Sequence, residues 1–331
     1  MKQLLIIVFT ASLLFIACSE QQNDLFNDQK FNSEYTHEIT PDVISQITAL
    51  GFNPDGIEVV EQGYRIERDI IITPEFLTTH EGHDHSKNGN EKQFSTNALV
   101  STNGSRVIAM YISAPGCGAT ANAVEGSDSG DSAATSSVNE MRGGGKGNGN
   151  GGGGSSGGGG GESFQFDQNY ADALDDAISR FNAENLEISF VRVCEQSQAD
   201  ISFSRLRKKD ERQGVLGSAG FPSGGDPFDR INMSGIIISN FGWSVDALAT
   251  VMAHEMGHCI GFRHTDFYDR SISCGGQTSN EGTAGIGANH IPGTPNVGQV
   301  SASDQSWMLS CTGDINRPFN SSDKVALDFL Y

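Results

Sequence analysis

Eleven consecutive residues carry types and spacing that could do chemistry: His254-Glu255-Met256-Gly257-His258-Cys259-Ile260-Gly261-Phe262-Arg263-His264. Residues four apart on a helix stand one turn above each other, so His254 and His258 can present both imidazoles to one ion from a single face. Glu255 stands beside the first ligand, where its carboxylate can take a proton from a water that the metal has made acidic. Gly261 has no Cβ and can adopt positive φ, which ends the helix and turns the chain so that His264 comes back to the metal. Three protein ligands leave a fourth position open. That is the arrangement of a catalytic zinc, whereas structural zinc is closed by four ligands, usually including cysteines. The chemistry expected is hydrolysis at one Zn2+ ion held by His254, His258 and His264, with Glu255 as general base and then acid.

The full pattern resembles the metzincin clan of zinc endopeptidases. With Thr265 and Asp266 after the third histidine it is similar to the bacterial dual-action HEIGH metallopeptidases, and Thr265 is not the residue found there in astacins, serralysins, matrixins or adamalysins. The resemblance implies an α+β fold: a small mixed, twisted sheet, two long helices above the cleft of which the second bears the zinc ligands, and an irregular lower subdomain with a Met-turn and a C-terminal helix. It implies that Met308, in Ser306-Trp307-Met308-Leu309-Ser310, lies beneath the zinc as an apolar floor; by itself the residue reads as core methionine. Ser310 stands where astacins and serralysins carry a tyrosine that can reach the zinc, so no tyrosine ligand is expected. The run from Val215 to Pro222 resembles the edge strand above the metzincin cleft. Leu216, Gly217, Ser218 and Ala219 are then candidates for holding an extended peptide by strand addition, against the plainer reading of an ordinary edge strand.

Gly63-Tyr64-Arg65-Ile66-Glu67-Arg68-Asp69-Ile70 resembles the N-terminal segment of HEIGH-type peptidases and, more distantly, the propeptide of astacins. In that propeptide an aspartate of a Phe-x-Gly-Asp motif caps the zinc. Asp69 is therefore a candidate latency ligand, with Arg68 where the motif has glycine; the alternative is a solvent-facing aspartate at a strand edge.

The elements that must position these residues are legible as periodicities. Tyr170, Leu174, Ala177, Ile178 and Phe181 repeat at the spacing of one buried helix face. Ser244 reads as the cap of the zinc helix, with Asp246 in its first turn. Leu248, Met252, Met256 and Cys259 give that helix a core face distinct from its ligand face. Val107 to Ile112 is a continuous apolar run suited to a sheet interior, and 186–193, 199–206 and Gly235 to Ser239 read as further strands. Earlier, Pro41 to Leu50 reads as a helix ended by Gly51, and Ile57 to Val60 and Tyr64 to Thr73 as strands. A Gly/Pro/Ser-rich stretch of about 40 residues after His264 lacks period and should shape the substrate pocket. Asn320 to Asp323 starts a closing helix.

Around this core the chain divides into an expected signal at 1–17, a tether at 18–30, a prosegment-like domain at 31–92 and a catalytic domain at 93–331. The apolar run from Leu4 to Ala17 is too short to span a bilayer and fits a secretory signal. Its end, Leu14-Phe15-Ile16-Ala17-Cys18, resembles a lipobox, making Cys18 a candidate for lipidation; ordinary cleavage with a free Cys18 is the alternative. Either way the chain is exported, to the bacterial envelope or cell surface, with release also open, and meets a membrane only through that anchor. His80, His83 and His85 form a second cluster that reads as an exposed junction open to proteolysis near Lys87 or Lys92, or as a weak metal site. From Gly116 to Glu162 the composition turns to Gly, Ser and Asn, and 14 of the 19 residues from Gly143 to Gly161 are glycine. Such a run builds no core, has no phosphate-loop spacing, and reads as an insertion.

A net charge of -20 opposes binding to nucleic acid or anionic lipid; the peptidase reading implies a protein or peptide substrate, met by a monomer. An oxidising compartment permits bridges among Cys117, Cys194, Cys259, Cys274 and Cys311; the pairs considered are Cys259 with Cys274 and Cys117 with Cys194. Two other functions fit the same residues: a silent zinc-bound surface binding module, against which the intact Glu255 speaks, and a zinc amidase acting on a non-protein substrate.

Overall fold

The computed structural model describes residues 35, 37–79, 93–116, 164–282, 287–294 and 305–331. Ile39–Tyr331 is one compact unit, and of Met1–Glu38 only residues 35, 37 and 38 are described. The expected signal, Cys18, the tether, the histidines at 80, 83 and 85, Cys117 and the glycine insertion lie outside the described residues.

The chain opens with α1 (Pro41–Ala49), β1 (Glu58–Val60), β2 (Gly63–Ile66), β3 (Ile70–Ile72) and α2 (Pro74–Thr79). After β4 (Phe94–Ser95) and β5 (Arg106–Tyr111) come α3 (Gln168–Asn182), β6 (Ile188–Val193), β7 (Ile201–Arg205), α4 (Lys208–Arg212), β8 (Gly217–Ala219) and β9 (Arg230–Met233). The last part holds α5 (Val245–Cys259), α6 (Ser271–Cys274), β10 (Asn289–His290) and α7 (Ser321–Leu330). The fold is mixed α+β. Eight strands form one sheet in the order β1-β2-β3-β8-β9-β7-β5-β6, larger than the small sheet expected because three N-terminal strands extend it. β6, β5, β7 and β9 run parallel, and β8 is antiparallel to β9.

The two 15-residue helices α3 and α5 pack on each other and on this sheet, and their apolar faces close the main core. Asp167 caps α3 by accepting from Asn169 N, and Ser244 caps α5 by accepting from Ala247 N at 3.2 Å. Asn320 and Asp323 form a reciprocal capping box at the start of α7. A second apolar cluster, with Ile47, Phe52, Ile66, Ile70 and Phe221, lies under the N-terminal strands. That segment therefore shares both its core, through Phe221, and the sheet with the rest of the unit.

Several expectations need correction. Val107 to Ile112 is covered on one face only: Ile108 and Met110 are wholly buried while Val107 is 58% exposed. Gly235 to Ser239 is a turn, not a strand, because Asn240 N and Gly242 N donate to Ile236 O and Ile238 O four residues back. Tyr64 to Thr73 is two strands, broken by a tight turn in which Glu67 and Arg68 both hold positive φ, 53° and 76°. The β8 strand is not at an edge, since β3 lies along it in parallel, pairing Ile70 with Ala219. Finally, Cys259 does not pair with Cys274. Its thiol is buried on the core face of α5, whereas Cys274 bonds Cys311 across a Cα separation of 5.0 Å. Cys194 is also disulfide-bonded.

Candidate metal centre

Regular helix through α5 puts His254 and His258 on one face, with their Nε2 atoms 3.1 Å apart. Gly261 then takes φ +106°, a value a side chain would strain, and the chain reverses. This brings His264 Nε2 to 3.2 Å from both of the others. Zinc–nitrogen bonds of ≈ 2.0–2.1 Å at tetrahedral angles put ligand nitrogens about 3.3 Å apart, so the triad matches that spacing.

Each ring is aimed by a partner on its other nitrogen. His254 Nδ1 donates to Trp307 O and His258 Nδ1 to Phe262 O, both at 2.9 Å, and His264 Nδ1 donates to the Glu281 carboxylate. With the rings neutral, those bonds put all three Nε2 lone pairs inward, the tautomer a metal needs. Burial, reinforced by the neighbouring imidazoles, holds His254 down to about 4 and His258 well below the usual range. Burial would lower His264 as well, but the Glu281 and Asp69 carboxylates outweigh it and raise the group to about 10. The two charges that favour a proton on that ring equally favour a cation at its Nε2.

The fourth corner holds Asp69. Its Oδ2 lies 3.1 Å from His264 Nε2, and one ligand atom from each of Asp69, His254, His258 and His264 falls within 4.8 Å of the others. Burial would raise this carboxyl, but His264 and Arg270 hold it down at about 2, so the group is an anion. Asp69 arrives on the strained Glu67–Arg68 turn, and β3 behind it is tied to β8 by Ala219 N donating to Asp69 O at 2.8 Å. Glu255 is buried beside the triad, raised well above the carboxylate range by burial first and Asp69 second, and its Oε2 has no partner among the described residues. Gly217 makes room for it, because a Cβ there would collide with the Glu255 carboxylate. Three converging imidazoles, an anionic fourth group and an unpartnered buried carboxylate are what a divalent cation and its chemistry would use.

The segment around Met308 braces the triad from below. Met308 is wholly buried, its carbonyl accepts from Thr265 N at 2.8 Å, and the preceding Trp307 carbonyl holds His254. Trp307 is wedged between Phe181, Phe262 and Phe319. Thr265 and Asp266 fix this turn: Thr265 Oγ1 meets Ser306 Oγ at 2.8 Å, and Asp266 accepts from Ser310 N at 2.9 Å. Ser306 in turn donates to the buried Asp323 of α7 at 2.8 Å.

Of the four candidates, Leu216, just before β8, accepts from Ser234 N at its carbonyl, Gly217 and Ser218 pair with β9, and the Ala219 amide is taken by the Asp69 backbone. A cavity of about 150 Å³ opens beside His254 and Glu255, bounded by Leu216, Thr250, Val251 and Leu309. Sequence reasoning missed Glu281, Arg263 and Arg270. Glu281 accepts from His264, from Arg263 at 3.3 Å and from Arg270 at 2.7 Å, and these cations hold its carboxyl far below the usual range despite burial. It sits in the aperiodic stretch, where only its charge amid glycines marked it.

A family model described as dual-action HEIGH metallo-peptidase matches residues 156–331. No curated protein matches the chain. Among solved structures, a chain of the "GM1 bound form of the ECX AB5 holotoxin" matches with 17% identity and a TM-score of 0.29, covering 71% of this chain and 81% of that one, a likeness too low to carry an argument.

Proposed function

The chain belongs to the dual-action HEIGH metallopeptidase family, and from that membership we propose that it is an exported zinc endopeptidase kept latent by its own Asp69. The observation that carries the reading is the convergence of three Nε2 atoms with the Asp69 carboxylate at the remaining corner. A zinc ion held by His254, His258 and His264 would supply a Lewis acid that polarises a peptide carbonyl and makes water acidic near neutral pH. Glu255 takes a proton from the attacking water and returns it to the leaving amine nitrogen as the C–N bond breaks. Its carboxylate is buried beside the triad with Oε2 unpartnered among the described residues, and so is free to hold that proton between the two transfers. Met308 serves as the apolar floor. With β3 and its turn withdrawn, β8, and Leu216 before it, would be left with an open edge that an extended peptide could take in place of β3.

In this reading residues 31–92 act as a prosegment and 93–331 as the catalytic part. Export and a Cys18 lipid anchor rest on the leading residues, and the Cys274–Cys311 bridge supports an oxidising compartment. The test is zinc content together with cleavage of a peptide library by the full chain and by Asp69→Ala. We expect one zinc per chain in both, and chelator-sensitive cleavage that Asp69→Ala raises by about tenfold or more. Equal rates in the two proteins remove the latency role, and zinc-free protein removes the enzyme.

A further inference from the structure

Arg270 is fixed in place by elements outside the N-terminal segment. Its backbone N donates to Ser279 O at 2.8 Å, and it begins α6, which the Cys274–Cys311 bridge ties to the strand of chain after Met308. Its guanidinium meets three carboxylates: Glu281 at 2.7 Å, Glu67 at 3.5 Å and Asp69 at 4.0 Å. It also donates to the Glu67 carbonyl at 3.2 Å. Only Glu281 belongs to the body of the molecule, and Arg263 and His264 draw on the same carboxylate. Two of the three anionic partners, and the carbonyl, arrive with the turn that occupies the cleft. In the cavity beside His254 and Glu255, the remaining arginine is Arg68, which belongs to the turn itself, and the walls at Leu216, Thr250, Val251 and Leu309 carry no charge.

On the latency reading above, this turn lies where a substrate must lie, and its Glu67 carboxylate already shows what Arg270 receives. Withdrawing the turn leaves Arg263 and Arg270 facing Glu281 alone, with the Arg270 side chain at the cleft. We infer that Arg270 is a specificity-determining residue, selecting peptide substrates that carry an acidic side chain within a few residues of the scissile bond. A partly desolvated guanidinium discriminates strongly between a carboxylate and its uncharged isostere, because the isostere leaves the cation unpaired. Arg270 also touches Glu281, so a purely positioning role has to be separated from recognition by varying the substrate as well as the protein.

The experiment uses the full chain carrying Glu67→Gly together with Asp69→Ala, which removes both of the turn's carboxylates from Arg270, and loaded with zinc. It is given quenched-fluorescent peptides that are identical except for Glu, Gln or Lys at each position within three residues of the cleaved bond. At one position or more, kcat/KM for Glu over Gln is expected to be about tenfold, falling as salt is raised. Arg270→Lys should keep the preference, Arg270→Gln should bring the ratio to about one, and Arg270→Glu should turn it toward Lys. A ratio near one in the parent, or an unchanged ratio in Arg270→Gln, overturns the proposal while leaving the peptidase reading intact. Should Arg270→Gln not fold, the Glu and Gln peptides on the parent and on Arg270→Lys still decide it. Zinc-loaded protein that cleaves none of the peptides refutes the peptidase reading, and the specificity with it.

Discussion

The α5 helix and the Glu67–Asp69 turn both place a group at the same point in space, and they are built in opposite ways. α5 is regular, capped and buried along nearly its whole length, and its two histidines meet because helical geometry puts residues four apart together. The turn is short, partly exposed and held in left-handed backbone by two residues that are not glycine. What fixes it lies far away in sequence: Arg270 on Glu67, Ala219 on the Asp69 carbonyl, and Arg65 of β2 on Asp210 of α4. On the proposed latency, the metal centre has to be permanent and the blocking group has to be able to leave. Rigid packing suits the first, and strain offset by separable ion pairs suits the second.

The largest difference between the two regions should appear on removing one carboxylate from each. Glu255→Ala on the helix should keep zinc and lose about a hundred- to ten-thousandfold in kcat/KM, because a positioned general base is worth that much. The same truncation at Asp69 is expected to raise activity. Metal analysis beside initial rates checks both, and a Glu255→Ala protein that cleaves peptides at the parent rate would end the assignment of the base.

The second break concerns how the turn is anchored. Arg65 is 1% and Asp210 0% exposed, and they pair at 3.1 Å, joining the N-terminal strands to the body of the molecule. Burial would raise the Asp210 carboxyl, but Arg207 and Arg65 together hold it below its ordinary value of 3.8. A carboxyl depressed in the folded state adds stability that is complete above its unfolded pKa and is lost as pH falls through the folded one. Asp210→Asn, which takes one of two carboxylates from the buried Arg65, should therefore cost about 3 kcal/mol at pH 7. That difference from the parent should shrink as the pH drops below about 3.8. Thermal unfolding at pH 7 and near pH 3 reads it; a gap that stays constant with pH would detach the pair from the stability of this segment.

How much of this was legible depended on whether the signal was local. The ligand triad, the Ser244 cap and both long helices follow from spacing within a dozen residues, and the structure has them where the spacing puts them. The turn between β2 and β3 was hidden because Glu67 and Arg68 are not residues that announce positive φ, so the ten residues from Tyr64 to Thr73, with isoleucines on both sides of the turn, read as one strand. That β8 is covered could not be read either, since it depends on a pairing between residues about 150 positions apart. Glu281 was invisible for the same reason: nothing periodic connects it to His264, 17 residues earlier. The third comparison follows from that contact. Glu281→Gln keeps the hydrogen bond to His264 and removes the charge, and should weaken zinc binding by about 10- to 100-fold, beside a stability loss of about 3 kcal/mol because the buried Arg263 loses its carboxylate. Competition against a chromogenic chelator measures it, and unaltered affinity would make Glu281 a mere partner of Arg263 and Arg270.

The smallest expected effect is the most specific to the turn. Arg68 is exposed at φ 76°, a conformation glycine adopts without the cost a side chain incurs. Arg68→Gly should relieve about 1–2 kcal/mol of strain, less the roughly 0.5–1 kcal/mol by which glycine favours the unfolded chain and the small loss of an exposed bond to Gln213 O. The net is about 0.5 kcal/mol toward the closed turn, which corresponds to basal peptide cleavage about twofold lower than the parent's. Glu67→Gly relieves the same kind of strain at φ 53° but removes the carboxylate that Arg270 holds, so it should open the turn and raise cleavage. Two adjacent glycines with opposite outcomes would separate backbone strain from side-chain anchoring, and a shift in the same direction for both would mean that strain alone decides whether Asp69 stays at the metal.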